Sequence, residues 1–277
     1  MPRPRVRVGL AALAGLLACS LQALGGQPSS DPVEERIDIL KDLNAADDAR
    51  ARARNELVGD PKLTKLGSLE KLIALGGAAK DANVRLHVAI ALGSVRRAAD
   101  RKKLAAAIPM LQGWMNAKDN DTALHYWAAL AIANSRQPGA LKIVATCLTD
   151  ADNPVVCDAV ARSIGRWQQH KATLPLLVGM LAHKQAQVRV AGIQSLQLTG
   201  VNEPAAVEPL AKIAGEDSEE IAWRAAERAL NELAKGMPIR RMLIRVGAPQ
   251  AERKEVVRIW LFEWRRAKRL AAKAGKG

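Results

Sequence analysis

A nine-residue pattern recurs six times along this chain, and that recurrence constrains the fold more than any other feature. Each copy carries an apolar residue, small residues four to five and seven positions on, and an apolar residue at eight, often followed by glycine. The copies begin at Ala49, Val84, Leu124, Val156, Val188 and Ala222, so successive starts lie 35, 40, 32, 32 and 34 residues apart. Positions 0, 4, 7 and 8 share one face of a 3.6-residue helix, so each copy predicts an amphipathic helix. Ahead of most copies stand side chains that can accept hydrogen bonds from the orphan amides of a helix start: Asp81 and Asn83, Asp121 and Thr122, Asp152 and Asn153, Asp217 and Ser218. A first helix precedes each copy, over 34–43, 63–75, 104–115, 141–148, 174–181 and 207–213. Pro109, Pro175 and Pro209 recur in it, where they start or kink a helix.

One such pair cannot bury its apolar face alone, so neighbouring pairs stack. The expectation is an all-α fold: a right-handed α-solenoid, or superhelix, of about six helical hairpins over 32–235 with a C-terminal capping helix. Composition agrees, because 49% of the chain is hydrophobic while only 3% is aromatic, which is too little for a β-sandwich. Written as Val-Arg-x-x-Ala-Ala-x-Ala-Leu-Gly, and carried best by residues 84–93, the pattern resembles the HEAT-like repeat family, including its phycobilisome-lyase-type variant. The resemblance covers about residues 32–235 and implies a concave surface lined by the second helices, for holding a partner.

The formal net charge of +14 sits at the ends of the chain. Residues 1–30 contribute +3 and residues 237–277 contribute +9, leaving 27 basic against 25 acidic residues between them. A groove for a phosphate backbone needs a stripe of Lys and Arg along the body, so no nucleic acid is expected as partner. No nucleophile elbow, metalloprotease His pair, phosphate-binding glycine loop or paired-cysteine cluster occurs, so no catalytic residue, metal or cofactor is predicted. The family resemblance brings two enzymatic alternatives: the bilin lyases, which share the repeat, and the HEAT-like alkylpurine DNA glycosylases, similar in size and net charge. In the second, Trp127, Asp158 and Arg162 could be cast in the active roles, although they do not align to that family's motif.

The chain opens with Arg3, Arg5 and Arg7 and then an apolar run too short to span a bilayer, which reads as an export signal over residues 1–25. Leu16-Leu17-Ala18-Cys19 resembles a bacterial lipobox, and by that resemblance Cys19 would be lipidated; ordinary cleavage after Ala23-Leu24-Gly25 is the other reading. Residues 26–31 follow as a flexible tether. The predicted location is therefore the periplasm or cell envelope. In that oxidising setting Cys147 and Cys157, on either side of one inter-helix turn, either form a disulfide or fill helix faces as small apolar residues. From about 250 to 274 a basic amphipathic segment carries Val256, Trp260, Trp264 and Ala267 on one face, with Arg253, Arg258, Arg265, Arg266, Lys268 and Arg269 around them. It can cap the last repeat, lie on an anionic membrane surface, or do both.

With position 0 in the core, positions 2 and 6 border the concave face and positions 1 and 3 flank them. The candidate partner-binding residues are then Arg85, Leu86, His87, Tyr126, Trp127 and Leu130 in the earlier copies, and Arg162, Arg189, Arg224 and Arg228 in the later ones. Aromatic and arginine side chains concentrate binding energy, so a protein or peptide segment with acidic character fits this column. Leu86 and Leu130 have a second reading, as packing between neighbouring repeats. His87, His125 and Cys157 fall at similar heights on three successive helices, but axes about 8–10 Å apart seldom let such side chains meet on one ion.

Overall fold

The computed structural model describes residues 31–117, 121–137, 139–149, 153–167 and 170–274. The predicted signal over 1–25, Cys19, nearly all of the tether and Asp152 lie outside the described residues. Helices α1 (Pro32–Lys41) and α2 (Asp47–Gly59) form the first pair. Helix α3 (Pro61–Lys65) leads into the second pair, α4 (Ser68–Ala78) and α5 (Ala82–Gly93). The third pair is α6 (Ala98–Lys103) and α7 (Ile108–Asn116) followed by α8 (Thr122–Ser135). The fourth is α9 (Ala140–Val144), a 3-10 turn at Ala145–Thr149 and α10 (Pro154–Gly165). Helices α11 (His170–Met180) and α12 (Ala186–Thr199) make the fifth, and α13 (Pro204–Glu216) and α14 (Glu220–Leu233) the sixth. Helix α15 (Gln250–Ala274) closes the described chain.

The chain is an all-α solenoid. Its second helices pack one on the next, α2 on α5, α5 on α8, α8 on α10, α10 on α12 and α12 on α14, with first helices backing them. The pattern that marks the repeat is the buried stripe. In α5, Val84, Val88, Ala91 and Leu92 are buried while Arg85, Leu86, His87 and Ile90 stay half-exposed, and α8 repeats this with Leu124, Ala128, Ala131 and Ile132. Asp81 and Asp121 cap as the sequence predicts, accepting from the amides of Asn83 and Ala123 at 2.8 and 3.3 Å, whereas Asp217 stands two residues ahead of the N-cap of α14, Glu219, and accepts from that residue's amide at 2.9 Å. Small residues set the spacing between layers. A Cβ on Gly165 would stand 2.6 Å from the Ser195 carbonyl oxygen, so only glycine lets α10 approach α12 this closely.

Two first helices depart from the expected spans. The segment expected over 63–75 breaks into α3 and α4 at Gly67, whose φ of 85° is left-handed and cannot continue a right-handed helix. The third pair's first helix starts earlier than expected, at Ala98, and passes through a 3-10 turn at Leu104–Ala107. Pro109 has no N–H to give to the carbonyl four residues back, so the α-helical ladder restarts there.

The terminal helix caps the stack. Val257, Trp260, Trp264 and Ala267 of α15 are buried, and the helix lies on α13. The Trp264 indole donates to Asn202 Oδ1 at 2.7 Å, and Lys268 Nζ donates to the Asn202 carbonyl at 2.9 Å. Arg253 does not stand around the apolar face as expected: it is buried, and donates to the Asp217 and Ala248 carbonyls at 2.7 and 2.9 Å. Among the described residues no helix is long and apolar enough to cross a membrane.

Candidate partner groove

The second helices of the last three pairs enclose a groove of ≈ 800 Å³. It brings together three of the predicted residues, Arg162, Arg224 and Arg228, and adds Val155, Val190 and Ile221, with Asp158 and Glu220 as its acids. Val155 and Ile221 are 63% and 52% exposed and line the same groove, a ready source of binding energy when covered. The three arginines are not equivalent. Arg228 is exposed and lines the groove with no hydrogen bond or ion pair among the described residues. Arg162 is held by Asp158 at 2.8 Å and by Gln194 Oε1 at 3.0 Å, an exposed arrangement that a ligand carboxylate can join or replace. Arg224 lies 4.3 Å from the centre of the Trp223 ring and donates to the Ile244 carbonyl at 2.6 Å and to Glu227 at 3.1 Å. It fastens the strap before α15 as well as bordering the groove.

Two of the predicted groove arginines do other work. Arg189 is only 9% exposed and makes two contacts of 2.7 Å with Asp217, while its Nη1 donates to the His183 and Lys184 carbonyls at 2.8 and 3.0 Å. Arg85 Nε donates to the Ala79 carbonyl at 2.9 Å, the same kind of latch on its own pair's turn. The physical reason is the first position of the copy. As the solenoid proceeds that position turns inward, half-exposed at Arg85 and His125 but buried at Cys157, Arg189 and Trp223.

Leu86, His87 and Tyr126 are half-buried and border neither the groove nor the cavity that takes Trp127 and Leu130. The Tyr126 and Trp127 rings meet edge to face with centroids 5.2 Å apart, and the Trp127 ring lies over Gly93 of the preceding pair. His87 Nδ1 hydrogen-bonds Arg54 Nη1, and burial together with the Arg54 and Arg50 charges pushes its pKa down to about 4. His87 is therefore neutral at ordinary pH, an acceptor for a guanidinium. Trp127 lines a different cavity from Asp158 and Arg162, so these three do not form one site. Cys147 and Cys157 are buried thiols not joined by a disulfide; Cys157 Sγ donates to the Cys147 carbonyl at 2.8 Å, and Cys147 Sγ lies 3.3 Å from Met115 Sδ.

Sequence reasoning missed Pro154, Val155, Gln187, Val190, Ala191, Glu220 and Ile221. A signal was available. The residue just before each copy projects about 20° from position 6 on a helical wheel, so extending the pattern one residue back reaches Val155, Gln187 and Ile221.

Residues 69–165 and 152–231 match the family of HEAT repeats. Among solved structures the chain is similar to an engineered protein of the Northeast Structural Genomics Consortium at 21% identity and TM-score 0.46, covering 74% of this chain and 99% of that one. A second engineered protein from the same consortium is similar at 19% identity and TM-score 0.47, covering 74% of this chain and 97% of that one. Human deoxyhypusine hydroxylase in complex with glycerol is similar at 15% identity and TM-score 0.35, covering 92% of this chain and 99% of that one. No curated protein sequence matches the chain.

Proposed function

Since this chain belongs to the HEAT-repeat family, we propose that it is a non-catalytic scaffold or adaptor of the cell envelope, holding a protein segment in the groove between α10, α12 and α14. The observation that carries this reading is the groove's mixed chemistry. Exposed Val155 and Ile221 offer an apolar seat, and Arg162 and Arg228 flank it with guanidinium groups. A segment with one or two apolar anchors and a neighbouring carboxylate complements both. The groove's own acids, Asp158 and Glu220, limit its excess of positive charge, so a mixed segment suits it better than a purely acidic one.

The envelope location rests on the sequence of residues 1–30, and the anchor on Cys19. Helix α15 supports a further contact with an anionic lipid surface: Ile259, Phe262 and Leu270 are 48%, 61% and 56% exposed, beside exposed Arg258, Arg265, Arg266 and Arg269.

A photo-cross-linking residue at Val155, compared with one at exposed Lys171 on α11, tests the groove in the cells that make the protein. The reading expects discrete adducts from position 155 and none of the same mass from position 171. Identical adducts from both positions, or none from 155, would remove the groove. Fractionation of wild type beside Cys19→Ala tests the location: wild type in the membrane fraction and the variant released from it supports the anchor, and both in the cytosol overturns the envelope reading.

A further inference from the structure

A second cavity opens at the C-terminal ends of α5, α8 and α10, enclosing ≈ 580 Å³. Arg96, Arg101, Arg136 and Arg166 line it, Trp127 supplies an aromatic wall, and no lining residue is acidic. Most arginines elsewhere in the fold have partners, as Arg36 has Glu56 and Arg258 has Glu255. The side chains of these four make no hydrogen bond or ion pair among the described residues. Arg101 Nε is fully buried with no acceptor, and burial together with the charge of Arg136 lowers the Arg101 pKa. That is the mark of cations crowded together without a counter-ion.

Helix C-termini attract cations, and that attraction alone could gather arginines here. It is too small to balance them. Three helix ends supply roughly half a negative charge each, against four full positive charges. The floor is also built and rigid: Asn134 Nδ2 donates to the Gly93 carbonyl at 2.7 Å, and its Oδ1 accepts from Ser163 Oγ at 2.6 Å, which ties α5, α8 and α10 together under the guanidinium groups. Arg136 adopts a left-handed φ of 54°, the one positive value at a non-glycine residue among those described. It ends α8 as that helix's left-handed C-cap, its amide donating to the Ala133 carbonyl at 3.4 Å, and so fixes where the Arg136 side chain leaves the helix.

We propose that this cavity binds a compact oxyanionic group carrying two or more negative charges, phosphoryl or carboxyl, attached to an apolar or aromatic body that lies on Trp127. Arginine forks match both oxyanions bidentately, and the cavity has the size of a small-molecule site. The proposal is independent of the protein-segment groove, which is lined by α10, α12 and α14 and shares no lining residue with this cavity.

Isothermal titration of the full chain with inorganic phosphate, inorganic pyrophosphate, citrate and phenyl phosphate tests it. The proposal expects one-to-one binding that weakens with added salt, falls at least about tenfold in Arg101→Gln and in Arg136→Gln, and is unchanged in Arg52→Gln, an exposed position on α2 outside both cavities. Arg166→Gln, at an exposed position, gives the same readout should the other two variants fail to fold. Pyrophosphate binding without citrate binding identifies a phosphoryl ligand, and the reverse identifies a carboxylate. Phenyl phosphate binding more tightly than inorganic phosphate, with the difference lost in Trp127→Leu, supports the aromatic wall. No binding of any probe at millimolar concentration, or equal binding by wild type and all three cavity variants, would overturn the proposal. So would duplex DNA binding that these variants weaken while no small anion binds.

Discussion

Arg189 and Asp217, 28 residues apart in sequence, meet through two nitrogen–oxygen contacts of 2.7 Å and so bolt the fifth helical pair to the sixth. The pair is nearly dry, with side chains 10% and 4% exposed. Asp217 also accepts from the amide of Glu219 in the turn ahead of α14, and its carbonyl accepts from Arg253 of α15. Three elements thus converge on one residue. Breaking a buried pair from one side leaves the other charge unpaired, so Arg189→Ala and Asp217→Ala are each expected to cost about 3–5 kcal/mol of unfolding free energy. Denaturant titration checks this, and the double variant should lose less than the sum of the singles. A loss below about 1 kcal/mol in both singles contradicts the assignment.

The burial of His87 beside Arg54 and Arg50 makes stability depend on pH. The folded-state pKa is lowered to about 4 from an ordinary value of 6.5, so between those limits the unfolded chain binds the extra proton. Stability therefore rises with pH through this window and is lost as pH falls from about 6.5 towards about 4. Asp31, Asp47 and Glu70 also have lowered pKa values and add losses of the same sign at lower pH, so the informative quantity is a difference. His87→Gln should flatten the melting-temperature profile between pH 6.5 and 4 relative to wild type. Parallel profiles would show that burial and the Arg54 and Arg50 charges do not hold His87 neutral.

Close helix contact predicts a graded cost for added methyl groups. Gly165→Ala places a Cβ against backbone that cannot move aside, and should cost about 1–3 kcal/mol. Gly93→Ala meets the Trp127 ring at 3.3 Å, where a side chain can give, and should cost less. Thermal melts of the two variants order them directly, and the reverse order contradicts the packing described.

The cap can be dissected at one indole. Trp264→Phe keeps most of the apolar volume but leaves Asn202 without its donor, an expected loss of about 1–2 kcal/mol; Trp264→Ala should lose about 3–5 kcal/mol. Hydrogen exchange should accelerate first in α15 and α13. Uniform acceleration across the chain would mean that the helix is not a separate cap.

Much of the fold was legible because each second helix carries its burial pattern within nine residues. Val84, Val88, Ala91 and Leu92 declare a buried stripe without reference to any other repeat. What the sequence concealed depends on contacts between repeats. Arg85 and Arg189 occupy the same position, yet burial of the second depends on Asp217 in the following turn, which a single period does not contain. Val155 and Ile221 lay one residue ahead of the pattern, and Arg136 and Arg166 beyond its end, so a window sized to find the core caught only part of each cavity's lining.

The central claim separates two roles for arginines that look alike in sequence: Arg189 holds the stack together, and Arg228 serves the groove. Melting temperatures, and the binding of the segment cross-linked at Val155, measured on Arg189→Glu and Arg228→Glu side by side, test that division most directly. The account predicts a large fall in melting temperature for the first, and for the second an unchanged melting temperature with binding weakened at least about tenfold. An Arg189→Glu protein that melts like wild type but no longer binds, or an Arg228→Glu protein that binds undiminished, would contradict it.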